Sequence, residues 1–146
     1  AKGFRGIFVK TGDASKKIIL ENVTIDGPTY TISCDQASGQ RLAAYNCTLN
    51  GWTSFSDVHK EVIFTNCKFG KGSGGYSYAF CRPYNPCVFE NCEFSTDMEF
   101  DATKTENIVF RNCTYGGLKI TAENASSLKT GDKTFFYNGV GNIAFE

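Results

Sequence analysis

The stretch VIFTNCKF (62–69) recurs along the chain, and the recurrence indicates the architecture. Aligned on its asparagine, it returns as CVFENCEF (87–94) and IVFRNCTY (108–115), and more loosely as IILENVTI (18–25) and LAAYNCTL (42–49). The aligned asparagines stand at 22, 46, 66, 91 and 112, at intervals of 24, 20, 25 and 21 residues. A period of about 20 to 25 residues predicts a solenoid in which each repeat is one coil.

The composition favours strands over helices. The 146 residues include 13 Phe, 7 Tyr and 15 Gly but only five leucines and 1 Met. Leucine-rich repeats share this period but need a regular leucine framework, so the parallel β-helix is the solenoid that fits. We expect an all-β, single-stranded right-handed parallel β-helix of about six coils, with residues 1–146 as one domain and a piece of a longer protein. Only ASSLK (125–129) and VHKE (58–61) could form a helical turn.

Period-two alternation predicts which side chains face the interior. Residues two and four positions before each asparagine are apolar, and those one before it are mostly polar. Apolar residues also stand one and three positions after it, so the chain must bend at the asparagine. Asparagine tolerates the left-handed conformation of such a corner, and stacked amides can hydrogen-bond between coils. We predict a buried ladder formed by Asn22, Asn46, Asn66, Asn91 and Asn112.

The same alignment predicts the core. We expect two buried aromatic stacks, one of Phe64, Phe89 and Phe110 and the other of Phe69, Phe94 and Tyr115. Four of the seven cysteines follow the aligned asparagine, where the first coil has Val23, so a small apolar residue suffices there. We expect reduced, buried cysteines, with a vertical disulfide geometrically conceivable. No Cys-x-x-Cys pair occurs and the one histidine is His59, so neither a metal nor a cofactor is expected.

A second apolar stretch follows each motif, after a turn of variable length. These stretches are TYTISC (29–34), WTSF (52–55), YSYAFC (76–81), MEF (98–100) and LKI (118–120), and GIFV (6–9) resembles the same element of an earlier coil. Near the end, TFFYNG (134–139) places Asn138 as the next corner, whereas NIAFE (142–146) imitates the approach to one. We prefer Asn138.

Charge and hydropathy exclude several function classes. Lys plus Arg and Asp plus Glu each number 15, without a charge run, so neither nucleic acid nor a membrane surface is expected as a partner. No segment is apolar enough to span a bilayer and no signal-peptide pattern opens the chain, which begins AKGFRG. The sequons at Asn22, Asn46, Asn112 and Asn124 are expected to remain unmodified, because the first three are corner positions, which need asparagine in any compartment.

The motif resembles the right-handed parallel β-helix of the pectin lyase-like superfamily, and also the degenerate FTNCTF-type repeats of bacterial surface and phage tail proteins. The resemblance implies the fold and leaves the function open, because relatives include lyases, hydrolases, esterases, tailspikes and inert stalks. Methylesterases of this superfamily have Gly-aromatic-Gln-Asp, but Gly51 and Trp52 are followed here by Thr53 and Ser54. GYSYAF (75–80), near which their second aspartate would fall, has no acid, and the polygalacturonase motifs are absent.

Two groups of side chains are candidates for a site. Asp97, Glu99 and Asp101 lie close together, as paired acids for glycoside chemistry would, although outward polar residues are ordinary on a strand. Flat rings and a guanidinium near the loop GKGSGG (70–75) could stack on sugars and bind a carboxylate. Those candidate ligand-binding residues are Trp52, Tyr76, Arg82 and Tyr84, with Tyr78 beside them; a protein interface and plain packing are the alternatives.

The outer face of the motif strand carries an apolar column three residues before each asparagine. Its members are Ile19, Ala43, Ile63, Val88 and Val109. We predict that this column is covered, either by a flanking segment or by another chain, including a homo-oligomer through Ile19, Ile63, Val88 and Val109. The expected function is a non-catalytic β-helix module of an extracellular, cell-surface or virion protein, for display, adhesion, or carbohydrate or protein binding. The alternative is a fragment of a polysaccharide-active enzyme, a glycoside hydrolase or lyase.

Overall fold

A computed structural model describes residues 5–55, 60–73, 79–83, 86–101, 107–137 and 139–146, and only the backbone of 27–28 and 79–83. Over that part of the chain, the protein is all-β and forms a parallel β-solenoid. The one helical element there is a turn of 3-10 helix at Ala125–Ser127, inside ASSLK as predicted. None of the described helices has the length and apolar character needed to cross a bilayer.

Eighteen strands lie in the described residues. In chain order they are β1 (Arg5–Phe8), β2 (Lys17–Glu21), β3 (Thr24–Ser33), β4 (Arg41–Tyr45), β5 (Thr48–Phe55), β6 (Glu61–Thr65), β7 (Lys68–Gly70), β8 (Ala79–Pro83), β9 (Cys87–Glu90), β10 (Glu93–Phe94), β11 (Met98–Asp101), β12 (Ile108–Arg111), β13 (Thr114–Tyr115), β14 (Leu118–Lys119), β15 (Lys129–Thr130), β16 (Lys133–Thr134), β17 (Phe136–Tyr137) and β18 (Ala144–Phe145). The candidate turn VHKE lies partly outside the described residues, and its Glu61 begins β6.

The strands before the asparagines form one parallel sheet of six strands, in the order β18, β12, β9, β6, β4, β2. Phe64 pairs with Phe89, and Phe89 with Phe110, so equivalent positions of the motif stand above one another. This register confirms the alignment of the repeats on asparagine.

The strands after the asparagines form a second sheet of ten strands. β3 and β5 are single long strands. In the next coil the corresponding strand is interrupted, so that β7 pairs with the first half of β5 and β8 with the second half. β1 pairs in parallel with β3, Ile7 opposite Ile32, which confirms GIFV as the element of an earlier coil.

The predicted corners are present. All five aligned asparagines have positive φ, namely Asn22 at 56°, Asn46 at 54°, Asn66 at 54°, Asn91 at 52° and Asn112 at 51°. Each backbone N–H donates to a carbonyl one coil on; that of Asn66, for example, reaches the oxygen of Glu90 at 2.9 Å. The left-handed residue thus turns the chain without breaking the bonding between coils.

The prediction that these asparagine side chains are buried is wrong. All five are exposed to solvent. Because residues two before and one after the corner both point inward, the corner side chain is left pointing outward. Among the described residues, a side-chain bond between two of the corner asparagines joins Asn112 Nδ2 to Asn91 Oδ1 at 2.8 Å. The continuous ladder of five amides is therefore not confirmed.

The first aromatic stack is confirmed. Phe64, Phe89 and Phe110 are each at most 1% exposed. The rings of Phe64 and Phe89 are 5.2 Å apart and 9° from parallel, and the ring of Phe110 is 5.1 Å from that of Phe89, tilted by 53°. Stacking in register therefore builds the interior from like side chains.

The second stack is confirmed at two of its three members. Phe69 and Phe94 stack at 4.8 Å and 9°. Tyr115 pairs with Phe94 in the backbone register, but its ring stacks on Phe135 at 4.4 Å. The Tyr115 hydroxyl lies 2.6 Å from both the Lys129 carbonyl and the Thr130 hydroxyl, which draws the ring toward that segment.

The six described cysteines are buried thiols, as expected, and none of the six forms a disulfide. Four form the predicted column, and each of their thiols reaches a carbonyl of the preceding coil at 3.3–3.7 Å. They are Cys47, Cys67, Cys92 and Cys113. Hydrogen bonds with the Cys113 and Cys67 thiols, together with burial, raise the pKa of Cys92.

Two predictions near the C-terminus are wrong. LKI does not continue the coil; β14 turns back antiparallel on β13, because Gly116 and Gly117 have φ of 55° and 84° and form a two-residue hairpin turn. The coil resumes only at β17, which pairs with β11. It is NIAFE, through β18, that pairs with β12 and continues the six-stranded sheet. Asn138 itself lies outside the described residues, and the solenoid has about four turns rather than six.

Candidate functional site

The predicted aromatic site is described only in part. Tyr76, Tyr78 and Tyr84 lie outside the described residues, and Arg82 is placed by its backbone alone, in β8 opposite Ser54. The Trp52 side chain is half-buried, packs against the core and meets the Tyr30 ring edge-on at 5.6 Å. Packing therefore accounts for the described surroundings of Trp52.

The three carboxylates differ in their surroundings. Asp97 lies in the turn before β11 and accepts hydrogen bonds from the Ser95 hydroxyl and, at 3.2 Å, from the Lys71 backbone N–H. Glu99 and Asp101 are both on β11, but Glu99 is 1% exposed and its Oε2 has no hydrogen-bond partner among the described residues. Burial raises the pKa of Glu99, and the charge of Lys133 opposes that shift. Because Glu99 is closed off from solvent, Glu99 and Asp101 do not form an accessible pair of acids for a polysaccharide in this conformation.

An open groove of about 610 Å³ crosses the outer face of the ten-stranded sheet. It runs along the stacking direction over the strands that follow the corners, namely β5, β7, β10 and β13. Two rows of outward-facing residues form its surface. The first row stands two residues after the asparagines and consists of Thr48, Lys68, Glu93 and Thr114. The second row stands four residues after them and consists of Asn50, Gly70, Ser95 and Gly116.

The second row forms the groove's floor because glycine alternates there with short polar residues. A methyl group on Gly70 would stand 2.9 Å from Asn50 Oδ1 and 3.4 Å from Ser95 Oγ, so those two side chains reach over the glycine. Adjacent strands are about 4.8 Å apart, and the floor therefore presents a donor or acceptor at about every second rung.

The groove carries balanced charge. Lys68 and Glu93, on adjacent strands, form an exposed ion pair at 3.8 Å. Lys71 and Asp97 lie at the end where the chain leaves the sheet. Lysine, carboxylate, amide and hydroxyl groups along a shallow channel can hydrogen-bond a polar ligand from one side, and the balanced charge favours neither a strongly anionic nor a strongly cationic one.

The sequence indicated the first row of this groove, because the position two after each asparagine is polar. It missed the second row, because Gly70, which lies in β7, was taken as the start of the loop GKGSGG (70–75). The usable signal was that Gly70 stands four residues after Asn66, as Asn50 and Ser95 stand four residues after Asn46 and Asn91.

Among the described residues, no cluster of three or more His, Cys, Asp or Glu side chains is arranged to hold a metal ion. The chain matches no protein-family model, no curated protein and no solved structure.

Proposed function

We propose that this chain is a non-catalytic β-solenoid module that binds an oligosaccharide along the groove. The observation that carries the proposal is the glycine-floored channel with polar side chains in register from strand to strand. An oligosaccharide is itself a polar polymer with hydroxyl groups along its length. A channel whose hydrogen-bonding groups repeat along one direction suits such a chain better than it suits a compact small molecule.

The described groups of the groove favour binding over chemistry. Its carboxylates are Glu93, which is paired with Lys68, and Asp97, which already accepts two hydrogen bonds. Glycoside hydrolysis needs two carboxyl groups on opposite sides of the scissile bond, one of which gives up a proton. An open site that contacts its ligand from one side should bind weakly, with a dissociation constant of about 10 µM to 1 mM.

The experiment is isothermal titration calorimetry with short neutral and uronic-acid oligosaccharides chosen from a glycan array. Lys68→Ala should weaken binding about tenfold or more, whereas Lys16→Ala should not. Lys16 is a matched control because it is also exposed and also ion-paired, to Asp13 at 3.5 Å, but lies outside the groove. Gly70→Ala puts a methyl group on the floor and displaces only the end of the Asn50 side chain, so binding should fall with little change in Tm.

Absence of binding to any glycan, or equal loss in the Lys68 and Lys16 variants, would refute the assignment of the groove. A reducing-sugar and unsaturated-product assay addresses the second candidate, a fragment of a polysaccharide-active enzyme. The feature that favours this candidate is Asp97, a carboxylate at the edge of the groove. Turnover abolished by Asp97→Asn would replace the binding proposal with the enzymatic one.

Placement in the pectin lyase-like superfamily belongs to the same proposal, supported by the parallel solenoid and the asparagine corners. A location outside the cell, on its surface or in a virion follows from a glycan-binding role. Secretion assays on the parent protein would test it.

A further inference from the structure

The outer face of the six-stranded sheet has three columns of side chains, aligned by the strand register. The central column is apolar: Ile19, Ala43, Ile63, Val88, Val109 and Ala144. The leading column, two residues earlier in each coil, is Lys17, Arg41, Glu61, Pro86, Asn107 and Asn142. The trailing column, two residues later, is Glu21, Tyr45, Thr65, Glu90, Arg111 and Glu146.

The central column, apart from Ala43, remains accessible in the single chain. Ile19 is 56% exposed, and Ile63, Val88 and Val109 are half-buried. Ala43 is fully buried because its short side chain lies below its larger neighbours. Ion pairs flank the apolar column on both sides, with Glu61 held by Lys17 and Arg41 on one side and Arg111 held by Glu90 and Glu146 on the other.

We propose that this face binds a second copy of the chain, side by side, about a two-fold axis parallel to the stacking direction. Such an axis keeps each rung level with the same rung of the partner and exchanges left and right. The leading column of one copy then faces the trailing column of the other, while the apolar columns face each other.

The pairs created by this operation bring no like charges together. On the first rung Lys17 faces Glu21 of the other copy, which gives two opposite-charge pairs. On the second, Arg41 faces Tyr45, a cation–π geometry. Three of the four higher rungs place a hydroxyl or an amide opposite a charged group: Glu61 with Thr65, Asn107 with Arg111, and Asn142 with Glu146.

The contact at the fourth rung neither favours nor disfavours the dimer electrostatically. Pro86 faces Glu90 there and has no donor to offer it, but Glu90 keeps its own ion pair with Arg111 at 2.9 Å. Pro86 is half-buried beside the apolar column and widens the apolar area at this level. Electrostatic selection between arrangements therefore rests on the other five rungs, and most of all on the first.

The alternative two-fold axis, along the strands, reverses the order of the rungs. It places Glu21 of one copy opposite Glu146 of the other, which is a like-charge contact, and leaves Lys17 opposite Asn142. Charge complementarity therefore selects the parallel arrangement.

The size of the face sets the expected strength. Six rungs at about 4.8 Å and five residues at about 3.3 Å give a face that buries about 950 Å² over the two copies. Stable interfaces bury at least about 1,200 Å², so the dimer should be weak, with a dissociation constant on the order of 100 µM, and should weaken as salt is added.

The test is sedimentation velocity across a concentration series up to about 1 mM, with three charge variants. Lys17→Glu places a negative charge opposite Glu21 of the other copy, so the dissociation constant of the dimer should rise at least tenfold. Glu21→Lys places a positive charge opposite Lys17 and should have the same effect. A mixture of these two variants should associate again, because both first-rung contacts then join opposite charges. Ile63→Lys should abolish association in every combination.

Lys16→Glu is the matched control, because it reverses a neighbouring exposed charge outside the three columns. It should dimerise like the parent. Thermal unfolding verifies that each variant is folded, since Lys17→Glu also removes the ion pair with Glu61. A parent chain that stays monomeric at about 1 mM, or a mixture that fails to associate while the parent does, would overturn the proposed dimer.

Discussion

The side-chain amide of Asn112 donates a hydrogen bond to the side-chain oxygen of Asn91, one coil below, over 2.8 Å. Both residues are exposed corners in the left-handed conformation, with φ of 51° and 52°. A corner asparagine therefore contributes in two ways, through its tolerance of positive φ and through its amide.

Substitutions at Asn91 separate the two contributions. Asn91→Ala loses the amide bond and places a Cβ in the left-handed region, so it should lower the free energy of unfolding by about 1 to 3 kcal/mol. Asn91→Gly loses the amide but accepts the backbone, and should cost about 1 kcal/mol less than alanine. Urea denaturation measures both. Equal effects of alanine and glycine would show that the backbone conformation is not limiting.

Phe89 lies at the centre of the aromatic core. Its side chain is fully buried and its ring contacts those of Phe64, Phe69, Phe94, Phe100 and Phe110. Phe89→Ala should therefore cost about 3 to 5 kcal/mol in chemical denaturation. Phe8→Ala is the control: Phe8 is 48% exposed, and its removal should cost about 1 kcal/mol or less. A small effect at Phe89 would contradict the predicted stacking.

The repeating part of the chain could be predicted because one rule applies to every coil. Once the asparagines are aligned, alternation places Phe64, Phe89 and Phe110 inside and Ile63 outside, and the register follows. The burial of the asparagines was mispredicted because their amides were expected to stack inside the solenoid. The bend at the corner was predicted, but its left-handed residue points its own side chain outward.

Features confined to one coil could not be found in this way. The hairpin at Gly116 and Gly117 depends on local turn chemistry, and an antiparallel return competes with the next coil for the same strand. The groove depended on recognising Gly70 as a strand residue. A glycine can lie in a strand because the site has no room for a side chain, but from composition alone it is predicted to lie in a turn.

The buried thiol of Cys34 gives stability an alkaline limit. Burial, aided by the charge of Asp35, raises its pKa from 9.0 to about 12. The folded state holds the proton more tightly than the unfolded state, so the contribution is fully present below pH 9.0 and is lost as the pH rises toward about 12. Urea midpoints of the parent should fall over that range more steeply than those of Cys34→Ala. Parallel curves would contradict this prediction.

Glu99 should destabilise the fold at neutral pH. Its side chain is 1% exposed, and Oε2 lacks a hydrogen-bond partner in the part of the chain that the structure describes. Burial raises its pKa above 4.5 despite the charge of Lys133. A carboxyl with a raised pKa in the folded state stabilises below pH 4.5, where both states are protonated, and that contribution is lost as the pH rises through the folded pKa. Glu99→Gln removes the charge and nearly preserves the shape.

At pH 7, Glu99→Gln should therefore have a higher Tm than the parent. At pH 4, the two proteins should unfold at similar temperatures. Phe100→Leu is the control, because it changes the buried neighbour of Glu99 on the same strand without changing a titratable group, so its Tm difference from the parent should not depend on pH. A Tm difference for Glu99→Gln that is independent of pH would show that Glu99 does not stay protonated above its ordinary range. If Glu99→Gln unfolded below the parent at pH 7 but not at pH 4, the Glu99 carboxylate would instead be stabilised in the folded state, with Lys133 outweighing burial.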